Sequence, residues 1–373
     1  MPSDPVIVPL PLLALPAQPL VSVLIANYNY GRFIDRALDS LLAQSYPHFE
    51  GMVCDDGSTD DSREVVARYA QRDARIRLLA KENGGVASAL NMAYRACRGD
   101  VVCLLDADDF FASGKLERVV ACFHEHAEVG LALHAMQVVD SQERVVRRLP
   151  SYGGCEEGWM AETVRARGGR WRSMPASALA FRRTVAERLF PIPESTFRSE
   201  DDGYLLMLAA LLTPVAFLPE ALAGYRLHGA NLTGTRHLDQ AVVTQSFDAL
   251  KRKNHAVNQR LTDLGVDGEP LVLEDNLNYH EQRFMLALFE GAPRRTLLRA
   301  YVRLAGALLA DDLYHPLRKG GGLAAYATSM LLPARKRPAW LTRLLYAPGP
   351  RRFLRQLQRR FTPSERDTTE RSP

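Results

Sequence analysis

The chain of 373 residues has no run of 18 or more apolar residues, so no transmembrane helix is expected. Cysteine is scarce: Cys54, Cys97, Cys103, Cys122 and Cys155 are odd in number and form no CxxC pair. This argues against a disulfide framework and a cysteine zinc site, and reads as buried, reduced thiols in a cytosolic chain. The opening MPSDPVIVPLPLLALPAQP has no lysine or arginine and is broken by six prolines. It lacks the basic start of a signal peptide, and residues 1–19 read as an extended, flexible leader. No G-x-G-x-x-G follows the first apolar run, which disfavours an NAD-dependent oxidoreductase. Internal repeats and low-complexity tracts are absent apart from a short polar end, residues 363–373, expected to be disordered.

What is present is ordinary in bulk and uneven in detail. A hydrophobic content of 47% and a charged content of 24% fit a globular chain able to bury a large core. The net charge of +4 conceals a basic tail: residues 318–373 hold 13 Lys/Arg against 3 Asp/Glu, so the rest of the chain is net acidic. A tail of that sign can meet an anionic membrane surface or nucleic acid.

The first 110 residues alternate between two periodicities. LVSVLIANYN, FEGMVCDD, RIRLLA and VVCLLDADD are short apolar runs of the kind buried on both faces of a parallel sheet. Between them lie helical patterns: Phe33, Ile34, Ala37, Leu38, Leu41 and Leu42 make one stripe. Ser58 to Asp61 suit a cap for the next helix, and Gly99 suits the stop of a third. The alternation predicts an α/β fold, a Rossmann-like, doubly wound, mostly parallel sheet flanked by helices. A helix is expected over 115–126, strands near 130–139 and 214–229, a strand running into a helix over 177–190, and a helix over 199–212. Beyond about residue 236 the pattern is mainly helical.

In such sheets ligands bind beyond the carboxyl ends of the strands. Four polar clusters fall there: Asn27–Asn29, Asp55–Asp56, Asn83–Gly85 and Asp106–Asp109. Like charges as close as Asp106, Asp108 and Asp109 suppress one another's ionisation. A divalent cation would relieve that, and magnesium or manganese suits oxygen ligands with positions left for substrate phosphates. The plainer alternative is a solvated acidic turn capping a helix. Tyr28 could stack on a planar base and Asp55 or Asp56 could accept from a ring N–H. The plainer alternative there is local side-chain bonding to the turn's own backbone.

The segments VSVLIANYNYGRFIDRALDSLLAQSYPHFEGMVCDDGSTDDS and KENGGVASALNMAYRACRGDVVCLLDADD resemble the nucleotide-binding half of a family 2 glycosyltransferase of GT-A fold. The resemblance implies a catalytic domain over 20–235, with a nucleotide-binding half (20–115) and an acceptor half (116–235). A helical C-terminal region over 236–362 would follow. It implies a nucleotide-sugar donor, with a lean to uridine, and Mg or Mn as cofactor. Tyr28 with the backbone near Ala26 would hold the base beside Asn29, and Asp56 would bind its ring. Asn83 to Gly85 would form the loop passing close to the nucleotide. Asp106 would contact the ribose or support the metal, and Asp108 would be the direct metal ligand.

FRSEDDGYLLMLA resembles the family's Glu-Asp segment, which implies Asp201 as general base for an inverting transfer. Asp202 and Gly203 depart from the usual pattern, which leaves open whether Asp201 or Asp202 enters the site. The plainer reading of these acids is a dipole-favoured first helical turn. LPEALAGYRLHGANLTG resembles the closing strand and loop, so Arg226 and His228 could reach the diphosphate, or His228 the metal. RGGRW, residues 167–171, precedes the acids and does not match a processive enzyme's Q-x-x-R-W box. A single addition to a glycan or lipid-linked acceptor is therefore expected. In the tail, Phe353, Leu354, Leu357 and Phe361 share a helical face among arginines. That predicts peripheral association with an anionic membrane, at the inner face of the plasma membrane for a cytoplasmic enzyme. A solvated basic helix is the alternative, and no motif supports nucleic-acid binding. Competing functions are a sugar-phosphate nucleotidyltransferase, whose Gly-rich opening loop ANYNYGRF lacks, and an inactive nucleotide-sugar-binding scaffold, which would be expected to lose Asp108 or Asp201.

Overall fold

The computed structural model describes residues 8–151, 154–198, 202–228, 239–266, 268–333 and 336–341. The chain divides into two compact units, residues 1–231 with 252–271 and residues 232–251 with 272–373.

The first unit opens with β1 (Val21–Asn27), α1 (Gly31–Leu42), β2 (Phe49–Asp55), α2 (Ser62–Arg72), β3 (Ile76–Ala80), α3 (Val86–Ala96) and β4 (Val101–Leu104). It continues with β5 (Phe110–Phe111), α4 (Lys115–Glu125), β6 (Leu131–Val139), β7 (Val145–Leu149), α5 (Ala161–Ala166), β8 (Leu179–Arg182), α6 (Arg183–Leu189), α7 (Asp202–Ala210) and β9 (Val215–Arg226). The expected α/β class is what the chain forms. The sheet order is β3-β2-β1-β4-β8-β6-β9-β5, with β7 added beside β6. β1 to β4 are mutually parallel; β8 runs antiparallel to β4 and β6, and β6 pairs with β9 in parallel over the longest register. The parallel pairings are longer than the antiparallel ones, so the sheet is mostly parallel by register.

The apolar runs read from the sequence are the buried strands. Every residue of β2 and β4 is buried, and β1 is buried except at Ala26. On α1 the stripe packs inward through Ile34, Ala37, Leu38 and Leu41. Ile34, Leu38 and Leu41 each contribute about 1.5–3 kcal/mol on leaving water, which holds the helix on the sheet. Phe33 stays half-buried because it faces the strand ends.

Two local expectations are refined. Within Ser58–Asp61 it is Asp60 that serves the start of α2: its Oδ1 accepts the Ser62 amide at 3.1 Å, while Oδ2 accepts the Gly31 amide of α1 at 2.9 Å. α3 ends at Ala96, and Gly99 answers a different need. A Cβ there would lie 2.5 Å from the Ser22 amide nitrogen, so glycine permits the two backbones to touch. Residues 8–19, read as a leader, form no regular element, yet Leu10 donates its amide to the Leu212 carbonyl at 2.8 Å. Leu10, Leu12 and Leu15 pack partly buried against the core.

The remaining helices are α8 (Gln240–Asp263), α9 (Leu277–Phe289), α10 (Arg294–Ala310), α11 (Pro316–Leu331) and α12 (Arg337–Leu341). The second unit has its own core, built on Phe284, Leu288, Leu297, Leu304, Leu308 and Tyr326. No described helix is long and apolar enough to cross a membrane.

Candidate functional site

The order β3-β2-β1-β4 reverses direction beside β1, and the crevice at such a switch point is where open α/β sheets hold ligands. The polar clusters of the sequence meet there.

On one side lie the ends of β1 and β2. Asn27 is buried and donates to Asp55 Oδ2 at 3.0 Å and Ser58 Oγ at 3.2 Å. Asp55 also takes the Ser58 amide at 3.0 Å and Arg63 Nε at 2.6 Å. Burial alone would raise its carboxyl, but hydrogen bonds from Ser58, Arg63 and Asn27 more than offset this and hold it below the ordinary carboxylate range. Asp56 is tied to the 81–85 loop. Its Oδ1 meets Lys81 Nζ at 2.8 Å and the Gly84 amide at 2.9 Å; its Oδ2 accepts from the Gly85 amide at 2.7 Å and Asn83 Nδ2 at 3.1 Å. The loop closes against Arg198, since a Cβ on Gly85, at φ +92°, would stand 2.5 Å from the Arg198 carbonyl. Beside it an open cleft of about 530 Å³ is lined by Gly57, Ser58, Arg63, Lys81, Glu82 and Asn83.

On the other side lies the end of β4. The Asp106 amide donates to Ser177 Oγ at 3.0 Å, and Ser177 Oγ donates to Asp109 Oδ2 at 2.7 Å. Asp109 Oδ1 accepts the Arg226 amide at 3.0 Å. Burial first, then the Asp108 charge, keeps the Asp109 carboxyl above its ordinary range. Asp108 points elsewhere: its Oδ2 lies 2.8 Å from His228 Nε2, just past the end of β9. His228 stacks on Phe33 at 4.7 Å between ring centres and meets Tyr30 edge-on at 5.9 Å. Burial, then the negative field of Asp108 and Asp106, pushes the Tyr30 hydroxyl up to about 12, so the acids act on one spot. Among the described residues no three His, Cys, Asp or Glu side chains form a ready-made metal cluster.

Beneath this turn is Lys115, fully buried, donating Nζ to the Ser177 carbonyl at 2.8 Å and sitting 3.4 Å from the centre of the Phe111 ring. Burial lowers its pKa to about 7. His134 is buried nearby and held well below its ordinary value by burial and then by Lys115.

The residues named from the sequence fall as follows. Asp108 and His228 meet, while Asp106 is linked to them only by the charge that it and Asp108 both exert on Tyr30. Asp56, Asn83 and Gly85 form one bonded loop. Asn29, at φ +58°, takes the Thr59 amide on Oδ1 at 2.8 Å and donates its own amide to Ser58 Oγ at 2.9 Å, so it shapes the turn. Tyr28 is 45% exposed, leaving its ring face available. Ala26 pairs with Cys54 within the sheet. Arg226 turns away from the solvent side of the crevice: Nε donates to the Asp108 carbonyl at 3.0 Å and Nη2 meets Glu143 at 3.0 Å. Asp201 lies outside the described residues, as does the tail segment 342–361; Asp202 begins α7.

Sequence reasoning missed Ser177, Lys115 and Glu143. Glu143 holds both Arg226 and, at 3.0 Å, Arg36 Nε from α1. Nothing local marks these residues, because the side-chain hydrogen bonds that place them reach distant parts of the chain. Tyr30 and Phe33 carried a weak signal, as aromatics flanking a strand-end turn.

Residues 22–190 match the family description "Glycosyl transferase family 2". An uncharacterized glycosyltransferase of Nostoc sp. is 34% identical over 270 residues, 71% of this chain and 82% of the relative. A chondroitin synthase of Escherichia coli is 32% identical over 128 residues, 34% of this chain but 19% of that protein. Among solved structures, S. aureus TarS 1–349 in complex with UDP superimposes with a TM-score of 0.53 at 18% identity, over 90% of this chain and 92% of that one. That likeness shows the GT-A-like fold alone. The family match over residues 22–190, with a glycosyltransferase relative 34% identical over 71% of this chain and 82% of its own length, shows that the chain is a glycosyltransferase and belongs to glycosyltransferase family 2.

Proposed function

We propose that this enzyme is a metal-dependent, inverting transferase that moves one sugar from a UDP-sugar to the hydroxyl of a glycan acceptor, a lipid-linked or polysaccharide precursor. The observation that carries the reading is the meeting of Asp108 with His228 at 2.8 Å beyond the end of β4, with the charges of Asp108 and Asp106 both felt at the Tyr30 hydroxyl.

Carboxylates suit magnesium or manganese, and an imidazole beside them favours the softer manganese. Such ions are usually held by one or two protein carboxylates and completed by substrate phosphates, so a small donor set without a full cage fits. Asp108 and His228 would hold the ion, with Asp106 beside them. When bound, it supplies neutralisation of the charge developing on the leaving diphosphate. The chain's own residues do the rest. Asp56 fixes the Asn83–Gly85 loop over the nucleotide side, and Tyr28 offers a face for the base. The loop fixed by Asp56 borders the cleft of about 530 Å³, which has space for a nucleoside. Arg226 sets the acidic turn by holding the Asp108 carbonyl and the Asp109 carboxyl. Asp201 takes the acceptor hydroxyl's proton on the face opposite the leaving group. UDP as the nucleotide carrier is supported by two TarS structures, one in complex with UDP and one with UDP-GlcNAc. The chondroitin synthase relative supports a polysaccharide precursor as acceptor. The arginine-rich tail, residues 342–361, supports work at the cytoplasmic face of a membrane.

The test is release of UDP from UDP-sugars, with acceptor, in Mn²⁺ or chelator, for wild type, Asp201→Asn and Asp202→Asn. The reading expects turnover only with the ion, and a fall in kcat of about 10²–10⁴-fold in Asp201→Asn with UDP affinity kept. Full activity in Asp201→Asn, with loss confined to Asp202→Asn, would remove Asp201 from the role.

A further inference from the structure

The second unit carries a surface that the transferase chemistry does not use. α10 (Arg294–Ala310) buries Leu297, Leu304 and Leu308 on one side. On the other it leaves Leu298, Val302 and Leu309 exposed at 57%, 60% and 62%. At 3.6 residues per turn these three fall within an arc of about 40°. Arg295, Arg299 and Arg303, all exposed, occupy about the next 80° of the same open side. The helix contains no acidic residue. At its far end Lys319 donates Nζ to the Leu309 carbonyl at 2.8 Å, which adds a further cation there. Asp311, the first acid beyond the helix, is buried and accepts the amides of Leu313 and Tyr314 at 3.0 and 3.1 Å.

We propose that this face of α10 is a docking surface for an anionic lipid bilayer. The apolar stripe would enter the boundary between headgroups and acyl chains, and the arginines beside it would meet lipid phosphates. A helix of 17 residues, about 25 Å long, lying in the membrane plane is of ordinary size for this mode. Charge decides between occupants. The chain's own residues 342–373 contain eight arginines against three acids, so they would be repelled from an arginine face. A second copy of α10 would set the same arginines against one another. An anionic surface suffers neither penalty. The proposal stands on the second unit alone and does not depend on the donor site.

The test is co-sedimentation of the full chain with vesicles of phosphatidylcholine alone or mixed with phosphatidylglycerol. One variant carries Leu298→Ser, Val302→Ser and Leu309→Ser; another carries Arg295→Gln, Arg299→Gln and Arg303→Gln. A third, with Arg351, Arg352, Arg355, Arg359 and Arg360 changed to Gln, reports on the tail separately. Wild type is expected to bind only the anionic vesicles. Each arginine near such a surface is worth roughly fivefold in partitioning, so the triple arginine variant should lose about a hundredfold. The serine variant should lose at least about tenfold. The six α10 changes fall at exposed positions, and circular dichroism would verify the fold of every variant. Binding that survives both α10 variants, or is lost only in the tail variant, overturns the proposal. So does a wild type that binds neither vesicle. A dimer without vesicles that the serine variant dissociates would make the face a protein interface instead, which also overturns it.

Discussion

At the residue scale, the acidic turn after β4 rests on groups that never touch solvent. Ser177 links the Asp106 amide to the Asp109 carboxyl, and Lys115 holds the Ser177 carbonyl from below. A lysine in that place carries a pH signature. Its folded pKa is about 7, well under the ordinary lysine value, because burial disfavours the charge. Between about pH 7 and 10 the unfolded chain keeps a proton that the folded chain has shed, so folding stability rises with pH across that window. The gain approaches about 1.4 kcal/mol per pH unit for one full proton. In Lys115→Met the gain should vanish. Thermal unfolding of both proteins at several pH values checks this; parallel pH curves would mean that Lys115 is charged when folded. Glu143 predicts a smaller effect. Its bonds to Arg36 and Arg226 are partly exposed, so Glu143→Ala should cost at most about 1 kcal/mol by chemical denaturation. A loss of several kcal/mol would show that the bridge carries more than a surface pair does.

At the element scale, the loop from Lys81 to Gly85 is fixed by four bonds to one carboxylate and by contact with Arg198. Gly85→Ala must place a Cβ at φ +92° within 2.5 Å of a carbonyl. The cost should be about 1–3 kcal/mol, read as a lower unfolding temperature and weaker UDP binding together. An unchanged unfolding temperature would contradict the loop's packing. The elements themselves were largely legible. Buried parallel strands must be apolar on both faces, so VSVLIAN and FEGMVCD announce themselves, and the stripe of α1 sets its inward side. The site was legible only where chemistry and strand ends coincide, as at Asp106–Asp109 and Asp55–Asp56. Ser177 and Glu143 were not, because they reach their partners across at least 62 and 83 residues respectively. The tertiary fold alone brings them together. Gly99 was misread as a helix stop because sequence cannot distinguish a cap from a close backbone approach.

At the scale of the whole molecule, the chain joins a family 2 catalytic unit to a helical unit with an arginine-lined face. The catalytic unit places an acid pair and an imidazole at the crevice where the sheet order reverses. We propose that this spot seats a divalent cation beneath a nucleotide diphosphate. Calorimetric titration of UDP, GDP and dTDP, with and without Mn²⁺, into wild type and Asp108→Ala tests it directly. UDP should bind in a Mn²⁺-dependent way, and Asp108→Ala should weaken that binding at least about tenfold. Nucleotide binding indifferent to both the ion and the substitution would contradict the claim, and the acids after β4 would then serve only the hydrogen bonding of their own turn.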